Sequence, residues 1–543
     1  MIIKKTIREI ERKRKIKARD IEIVPEDEKS EAKKITEKIK EAGERRSSWS
    51  GYLSLALVLM MFLVAGPSLA QVKDYKASLF GIKSNGTTLD TRSIQKAIDF
   101  IHENGGGRLV FDVGRYLTGT IYLKSNVTIY LLEGAILVGS PNPFDYDLNH
   151  NWTALIFALE QENVGITGEG GVIDGQGFTV ANNLVDLIHK GLVKDPLRND
   201  RPREAIRPQN IYFWRCNNVL IEGITLKDPA SWNQQYDQCR NVVIKNLIID
   251  SKSYWNNDGV DIVDCDNVEV ANLYIDAADD GICLKSHDKN AVCQNVYIHN
   301  NTVRTSANGI KFGTASLGGF KNIKIIDNLV YDTYRSAIIF DAVDGGFVED
   351  IVVDQLKSIN TGNVIFLRVG ERWQPGKKGQ MRNISISNVY AEVPATKPDA
   401  GYNYEGPWEH QPRNISPSSI VGLPDALIEN VTLKNIEIHH PGGGDPNFAR
   451  VGLDELDKVP EIPANYPEFS MFKELPAWGF YVRHAKNITF ENVKLVCEKK
   501  DYRRAIVLDD VHNVKITGLK VQEPISRKDP VYAYRSTEVK IKK

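Results

Sequence analysis

The sequence predicts an all-β chain, a right-handed parallel β-helix with a small N-terminal helical cap. Three observations predict it. A unit of the form Asn-(Val/Ile)-x-(Ile/Val)-x-(Asn/Gly)-(Leu/Ile/Val) recurs along the chain, its apolar residues alternate, and four cysteines keep one position relative to it.

Copies start at Asn218, Asn241, Asn267, Asn295 and Asn322, with steps of 23, 26, 28 and 27 residues, and return at Asn383, Asn430, Asn487 and Asn513. Alternation within each copy is the period of a strand, not of a helix. A unit of this length with no helical pattern between copies is one coil of a solenoid, whose inward residues are buried only when coils stack. An antiparallel sandwich would leave the fixed motif unexplained. Asparagine suits a coil corner because it tolerates the turn conformation and its amide can bond the next asparagine in a ladder. Cys216, Cys239, Cys265 and Cys293 each stand two residues before a repeat asparagine, which predicts a buried column of sulfur. Stacked strands lie about 4.8 Å apart, wider than the ~3.8 Å between Cβ atoms of a disulfide, so the thiols are expected to be free. There is no Cys-x-x-Cys, and no metal or cofactor is expected.

The chain has 543 residues with 69 Lys/Arg against 70 Asp/Glu. Solenoids grow by adding coils, so 71–543 reads as one domain. Residues 1–46 hold 16 Lys/Arg against 11 Asp/Glu and form a charged extension, disordered or helical. Within 47–70, the uncharged apolar run 51–66 follows Arg45-Arg46 and precedes Ser68-Leu69-Ala70. This reads as a secretory signal, with a membrane anchor as the second reading. The body is therefore expected to be secreted or periplasmic. Sequons at Asn126, Asn151 and Asn430 carry little weight in so asparagine-rich a repeat. No basic stripe of the kind nucleic-acid binding needs is present, and the chain is expected to be a monomer.

Asp258 ends Trp255-Asn256-Asn257-Asp258, and Asp279-Asp280 follow about one repeat later. If residues one coil apart stack, three acids converge on one patch. Such a cluster suits hydrolysis of a glycosidic bond, one acid protonating the leaving oxygen and the others activating water. Crowding raises the proton affinity of one of them, so that an acid stays protonated near the working pH. Asp264 and Asp276 read as ordinary turn residues.

Residues from Tyr75 to Ser140 carry an amphipathic helix around Ile94–Ile98 with Asp90-Thr91 as its cap, then Gly105-Gly106-Gly107 turning into the strand Arg108–Phe111. Gly119–Thr128 and Leu132–Ala135 continue as first coils, and Gly168-Glu169-Gly170-Gly171 leads to Asp174-Gly175-Gln176-Gly177. In this order, and with the two acidic motifs, these segments resemble glycoside hydrolase family 28, the polygalacturonase family, with its pectin-lyase-like solenoid. The resemblance runs from about Tyr75 to at least Val369. It implies that Asn256-Asn257-Asp258 and Asp279-Asp280 are the family's acidic motifs, with Asp279 the general acid and Asp258 and Asp280 holding and activating water. It also implies inversion at the anomeric carbon. The family's Gly-His-Gly resembles Ala307-Asn308-Gly309, where Asn308 replaces a histidine and cannot titrate. The family's Arg-Ile-Lys, which grips a uronate carboxylate, should fall near 337–340, where no basic residue stands. Lys285, Lys311, Arg335, Arg368 and Arg372 are the candidate substitutes, and Arg368, ending an apolar strand before Gly370, is expected to reach the groove. Asn256 and Asn308 complete the expected substrate-binding set, with Trp232, Trp255 and Trp373 as candidate sugar platforms.

The stretch 394–470, with Tyr402-Asn403-Tyr404, Trp408 and His439-His440-Pro441, breaks the period. It reads as loops walling one side of the groove, favouring exo attack or a branched substrate. The expected function is an exported glycosidase acting on pectic polysaccharide, galacturonan or a rhamnose-containing relative. A polysaccharide lyase on the same scaffold and a non-catalytic carbohydrate-binding β-helix are the alternatives.

Overall fold

Valine and isoleucine at the second position of each repeat form one inward column. Val219 pairs with Val242, Val242 with Val268, Val268 with Val296, Val296 with Ile323 and Ile323 with Ile351. The column continues through Ile384, Val431, Ile488 and Val514. This is the register of a parallel β-helix, and the computed structural model has it throughout residues 73–195, 200–399, 401–404, 416–525 and 527–542, the part of the chain it describes. Among these residues 33 strands join through parallel pairings into one wound sheet with three faces. The charged extension 1–46, the apolar run 51–66 and Trp408 lie outside the described residues. Among the described ones no helix is long and apolar enough to cross a membrane.

The repeat asparagines sit at the corner leading into the first face with φ between 52° and 61°, the left-handed region that asparagine tolerates. Their amides form the expected ladder, Asn267 Nδ2 to Asn241 Oδ1 at 2.6 Å, Asn322 to Asn295 at 2.6 Å, Asn430 to Asn383 at 2.9 Å and Asn487 to Asn430 at 2.8 Å. The sulfur column is present too: Cys216, Cys239, Cys265 and Cys293 are buried and free. Each thiol contacts the backbone of the preceding coil, as where Cys239 N donates to Cys265 Sγ at 3.3 Å. Burial pushes the thiols of Cys239 and Cys293 well up from their usual range.

Helix α1, Thr91–Glu103, covers the first coils with Ile94, Ala97, Ile98 and Ile101 turned inward. Its expected cap works differently. Asp90 holds the N-cap position but its carboxylate accepts from Lys83 N at 2.8 Å, while Thr91 Oγ1 accepts from Gly119 N at 2.8 Å. Helix α2, Gly177–His189, was not expected. Its buried Val180, Ala181, Leu184 and Ile188 have helical spacing, yet the short insertion between two coils hides the pattern.

The functional face is built by β1 (Gln234–Asp237), β2 (Val260–Val263), β3 (Ile282–Ser286), β4 (Ile310–Ser316), and the ends of β5 (Phe320–Ala342) and β6 (Phe347–Val369). It continues through β7 (Ser418–Val421) and the starts of β8 (Ala477–Cys497) and β9 (Arg504–Thr517). Val260, Ile262, Ile282, Leu284, Ile310 and Phe312 point into the core, each fully buried aliphatic stabilising by roughly 1.5–3 kcal/mol. The alternate residues face outward. Over the later coils that outer face is covered by a second apolar cluster, in which Phe469, Phe472 and Leu475 pack on Ile339, Phe366 and Tyr481. The expected loop run 394–470 is therefore corrected: Ser418–Val421 and Ile428–His440 return to the coil stack, and the covering loop is the segment between β-strand residues 440 and 477.

Candidate active site

Val260 pairs with Ile282 and Ile262 with Leu284, and Gly259 N bonds Asp280 O at 2.9 Å. Continued two residues back, this register sets Asp258 against Asp280 at the corner where the chain enters β2 and β3. A carboxylate oxygen of each, and Sγ of Cys283, lie within 4.8 Å of one another. One water can therefore reach both carboxylates.

The turn before Asp258 is held rigidly. Asn257, fully buried, donates to Ser231 O at 2.7 Å and Pro229 O at 3.1 Å, and accepts from Tyr254 N at 2.7 Å. Asn256 has φ 57°, and its Oδ1 accepts from Arg207 and Arg201, each at 2.7 Å. Arg207 is fully buried and also binds the carbonyls of Pro202, Ala230 and Trp255. Asn256, expected among the substrate ligands, is thus turned toward these arginines and shapes the turn. Asn257 belongs to the motif the sequence marked, but Arg207 was not anticipated, because nothing in a lone arginine's sequence context marks it as a carbonyl organiser.

Asp280 is enclosed by three donors. Lys311 Nζ lies 2.9 Å from Oδ2, Asn308 Nδ2 2.9 Å and Asn308 N 3.1 Å from Oδ1. Burial alone would raise this carboxyl, but the charges of Lys311, Lys285 and Arg335 outweigh it and hold Asp280 down at about 2. Asp280 is therefore an anion at any working pH. At the position where the family resemblance places a histidine, the amide of Asn308 fixes Asp280, with Asn308 Oδ1 accepting in turn from Ser336 N at 3.2 Å.

Asp258 is buried, with Lys285 Nζ 3.2 Å from Oδ2. Lys285 also binds Asp261 and sits 4.1 Å from the ring centre of Trp232. Burial and the charge of Asp261 push Asp258 well above the usual carboxylate range, against the pull of Lys285. Asp279, partly exposed, is raised by burial and by neighbouring Asp280. Three adjacent acids thus differ: Asp280 is anionic, whereas Asp279 and Asp258 hold protons more readily. Asp264, by contrast, caps the backbone of His287 and Asp288, and Asp276 pairs with Lys252 and Arg304. The Asp258–Asp280–Cys283 grouping has metal-like spacing, but Lys285 and Lys311 already take the carboxylate oxygens, which suits ammonium partners and not a divalent cation.

The covering loop contributes two residues that the sequence did not mark. Tyr466 OH is 2.9 Å from Lys311 Nζ, and Glu468 pairs with Arg335. Burial pushes Glu468 up to about 7 despite that arginine. Arg335 is buried and its charge acts on both Asp279 and Asp280. Arg372 pairs with Asp344 at 2.8 and 2.9 Å and stacks on Trp373, which is 55% exposed. Arg368 departs from expectation. It is buried, and its guanidinium binds the carbonyls of Gly422 and Glu461, so it anchors the covering loop and does not open onto the groove. Of the aromatic candidates, Trp232 lies beside Lys285 and packs on Trp152 at 4.6 Å, while Trp255 stacks under Arg201.

Comparison with known proteins agrees with the fold. The sequence profile described as "Glycosyl hydrolases family 28" matches residues 114–342, which contain all three acids. An exo-poly-alpha-D-galacturonosidase of Dickeya chrysanthemi is 24% identical over 429 residues, 66% of this chain and 70% of the relative. The family 28 exopolygalacturonase of Yersinia enterocolitica superposes with a TM-score of 0.58 over 87% of this chain and 79% of its own, at 19% identity. The exopolygalacturonase of Thermotoga maritima gives 0.51 over 68% of this chain and 88% of its own, at 22% identity.

Proposed function

The chain belongs to glycosyl hydrolase family 28, and from that premise we infer an inverting glycosidase of pectic polysaccharide in which Asp279 is the general acid and Asp258 and Asp280 hold the attacking water. The observation that carries these roles is the setting of the three acids: Asp258 and Asp280 are buried, each against a lysine and within reach of one water, whereas Asp279 is the partly exposed one. Asp280, kept ionised by Lys311 and Asn308, can accept a proton from water. Asp279, raised by burial and by the charge of Asp280, can keep a proton for the leaving oxygen. Asp258 lies within 4.8 Å of Asp280 and orients the same water from the neighbouring coil. Water attacks the anomeric carbon as the glycosidic bond breaks; its proton passes to Asp280, while that of Asp279 goes to the departing sugar oxygen.

The loop wall bearing Tyr466 and Glu468 beside the acids supports exo action, as in the exo-poly-alpha-D-galacturonosidase of Dickeya chrysanthemi. Export through 51–66 remains part of the reading. Asp279→Asn tests it: sugar release should fall by about 10⁴-fold or more while oligosaccharide binding persists. Products that absorb in the ultraviolet, the mark of a new double bond, would instead support a lyase.

A further inference from the structure

The cations around the three acids are already neutralised by the protein itself. Among the described residues, Lys285 pairs with Asp258 and Asp261, Lys311 with Asp280, Arg372 with Asp344 and Arg335 with Glu468. All four basic side chains are at most 11% exposed. Arg368 is spent on backbone carbonyls. Acidic groups are in excess. Glu468 Oε2 is buried without a hydrogen-bond partner, and so are both carboxylate oxygens of Asp341, which the charges of Lys311, Glu468 and Arg372 all reach.

A sugar carboxylate arriving beside Asp279 would have to evict Glu468 from Arg335, stranding a buried carboxylate without its counter-charge. An uncharged ring needs no such exchange. It leaves the Arg335–Glu468 pair intact. We propose that Glu468 occupies Arg335 as the protein's own stand-in for a sugar carboxylate, so that the ring seated beside Asp279 is an uncharged sugar of the pectic chain. The proposal rests on the hydrolase reading above and assigns that site its substrate class. It makes Glu468 a specificity-determining residue: the coils supply the chemistry, and the covering loop rejects one charge type.

The test titrates the wild-type chain, Glu468→Gln and Glu468→Ala at pH 8, above the value of about 7 to which burial lifts Glu468, with d-galactose and d-galacturonate, which differ only at C6, using ligand-observed NMR. The wild type should favour galactose by about tenfold or more, the scale of a like-charge clash. Both variants should gain galacturonate affinity by about tenfold as Arg335 is released. Wild-type preference for galacturonate, a ratio unchanged in both variants, or no binding of either sugar to any of the three proteins overturns the proposal. Hydrolysis is measured in parallel on native and carboxyl-reduced galacturonan oligosaccharides and on rhamnogalacturonan. If the binding ratios hold while no pectic substrate is cut, the hydrolase reading fails and the charge selection stands.

Discussion

Lys311 donates a 2.9 Å hydrogen bond to Oδ2 of Asp280 from the next coil of the stack. This bond decides which acid is the anion. Lys311→Met should let burial dominate, so that the Asp280 carboxyl rises from about 2 toward and past the ordinary carboxylate range. In the proposed role Asp280 is ionised to accept the water proton, so activity is present above the pH at which it loses its own proton and lost below it. The acid limb of the kcat/KM profile should therefore move to higher pH in Lys311→Met. An unmoved limb would mean that another group sets it.

Lys285 faces both Asp258 and Asp261. Lys285→Met leaves two buried carboxyls without their shared cation, a loss of about 3–5 kcal/mol by the usual scale for breaking a buried pair. The urea midpoint should fall accordingly, and Asp258 should hold its proton more tightly. Destabilisation below about 1 kcal/mol would show that the pair is solvated.

Asn257 fixes the turn before Asp258 through Ser231, Pro229 and Tyr254. Asn257→Ala should lower kcat by about 10²-fold with little change in KM, because a displaced carboxylate loses transition-state geometry before it loses binding. A change confined to KM would place Asn257 in substrate binding.

Asn430 both donates to Asn383 and accepts from Asn487, at φ 58°. Asn430→Ala loses two exposed bonds and leaves a Cβ in the left-handed region without the polar side chain that makes asparagine tolerant of it, about 2 kcal/mol in all, whereas Asn430→Gly loses the bonds alone, about 1 kcal/mol. Glycine should thus be the milder substitution, measured by urea unfolding, contrary to its rank inside an ordinary strand.

All six cysteines are buried and free. A thiol reagent should label none in the native protein and all six after unfolding in denaturant. Fast native labelling of Cys216 or Cys239 would contradict the packed sulfur column.

The coil stack was legible because it is periodic. A single misplaced register would have disturbed the asparagine ladder, the Val/Ile column and the cysteine column together. The three acids were legible for the same reason, since their spacing matches one coil. What escaped lies outside the repeat. Arg207 acts on carbonyls whose positions no motif announces. Glu468 reaches Arg335 across 133 residues from an aperiodic loop. Arg368 fits the sequence pattern of a groove cation but faces that same loop, which only the folded chain places against it.

The anomeric form of the first product tests the central account most directly. A ¹H NMR time course on an α-linked pectic oligosaccharide should show the β-anomer first, with the α-anomer growing only by mutarotation. Initial release of the α-anomer would mean retention through a covalent intermediate, and the shared water of Asp258 and Asp280 would have no place in the reaction.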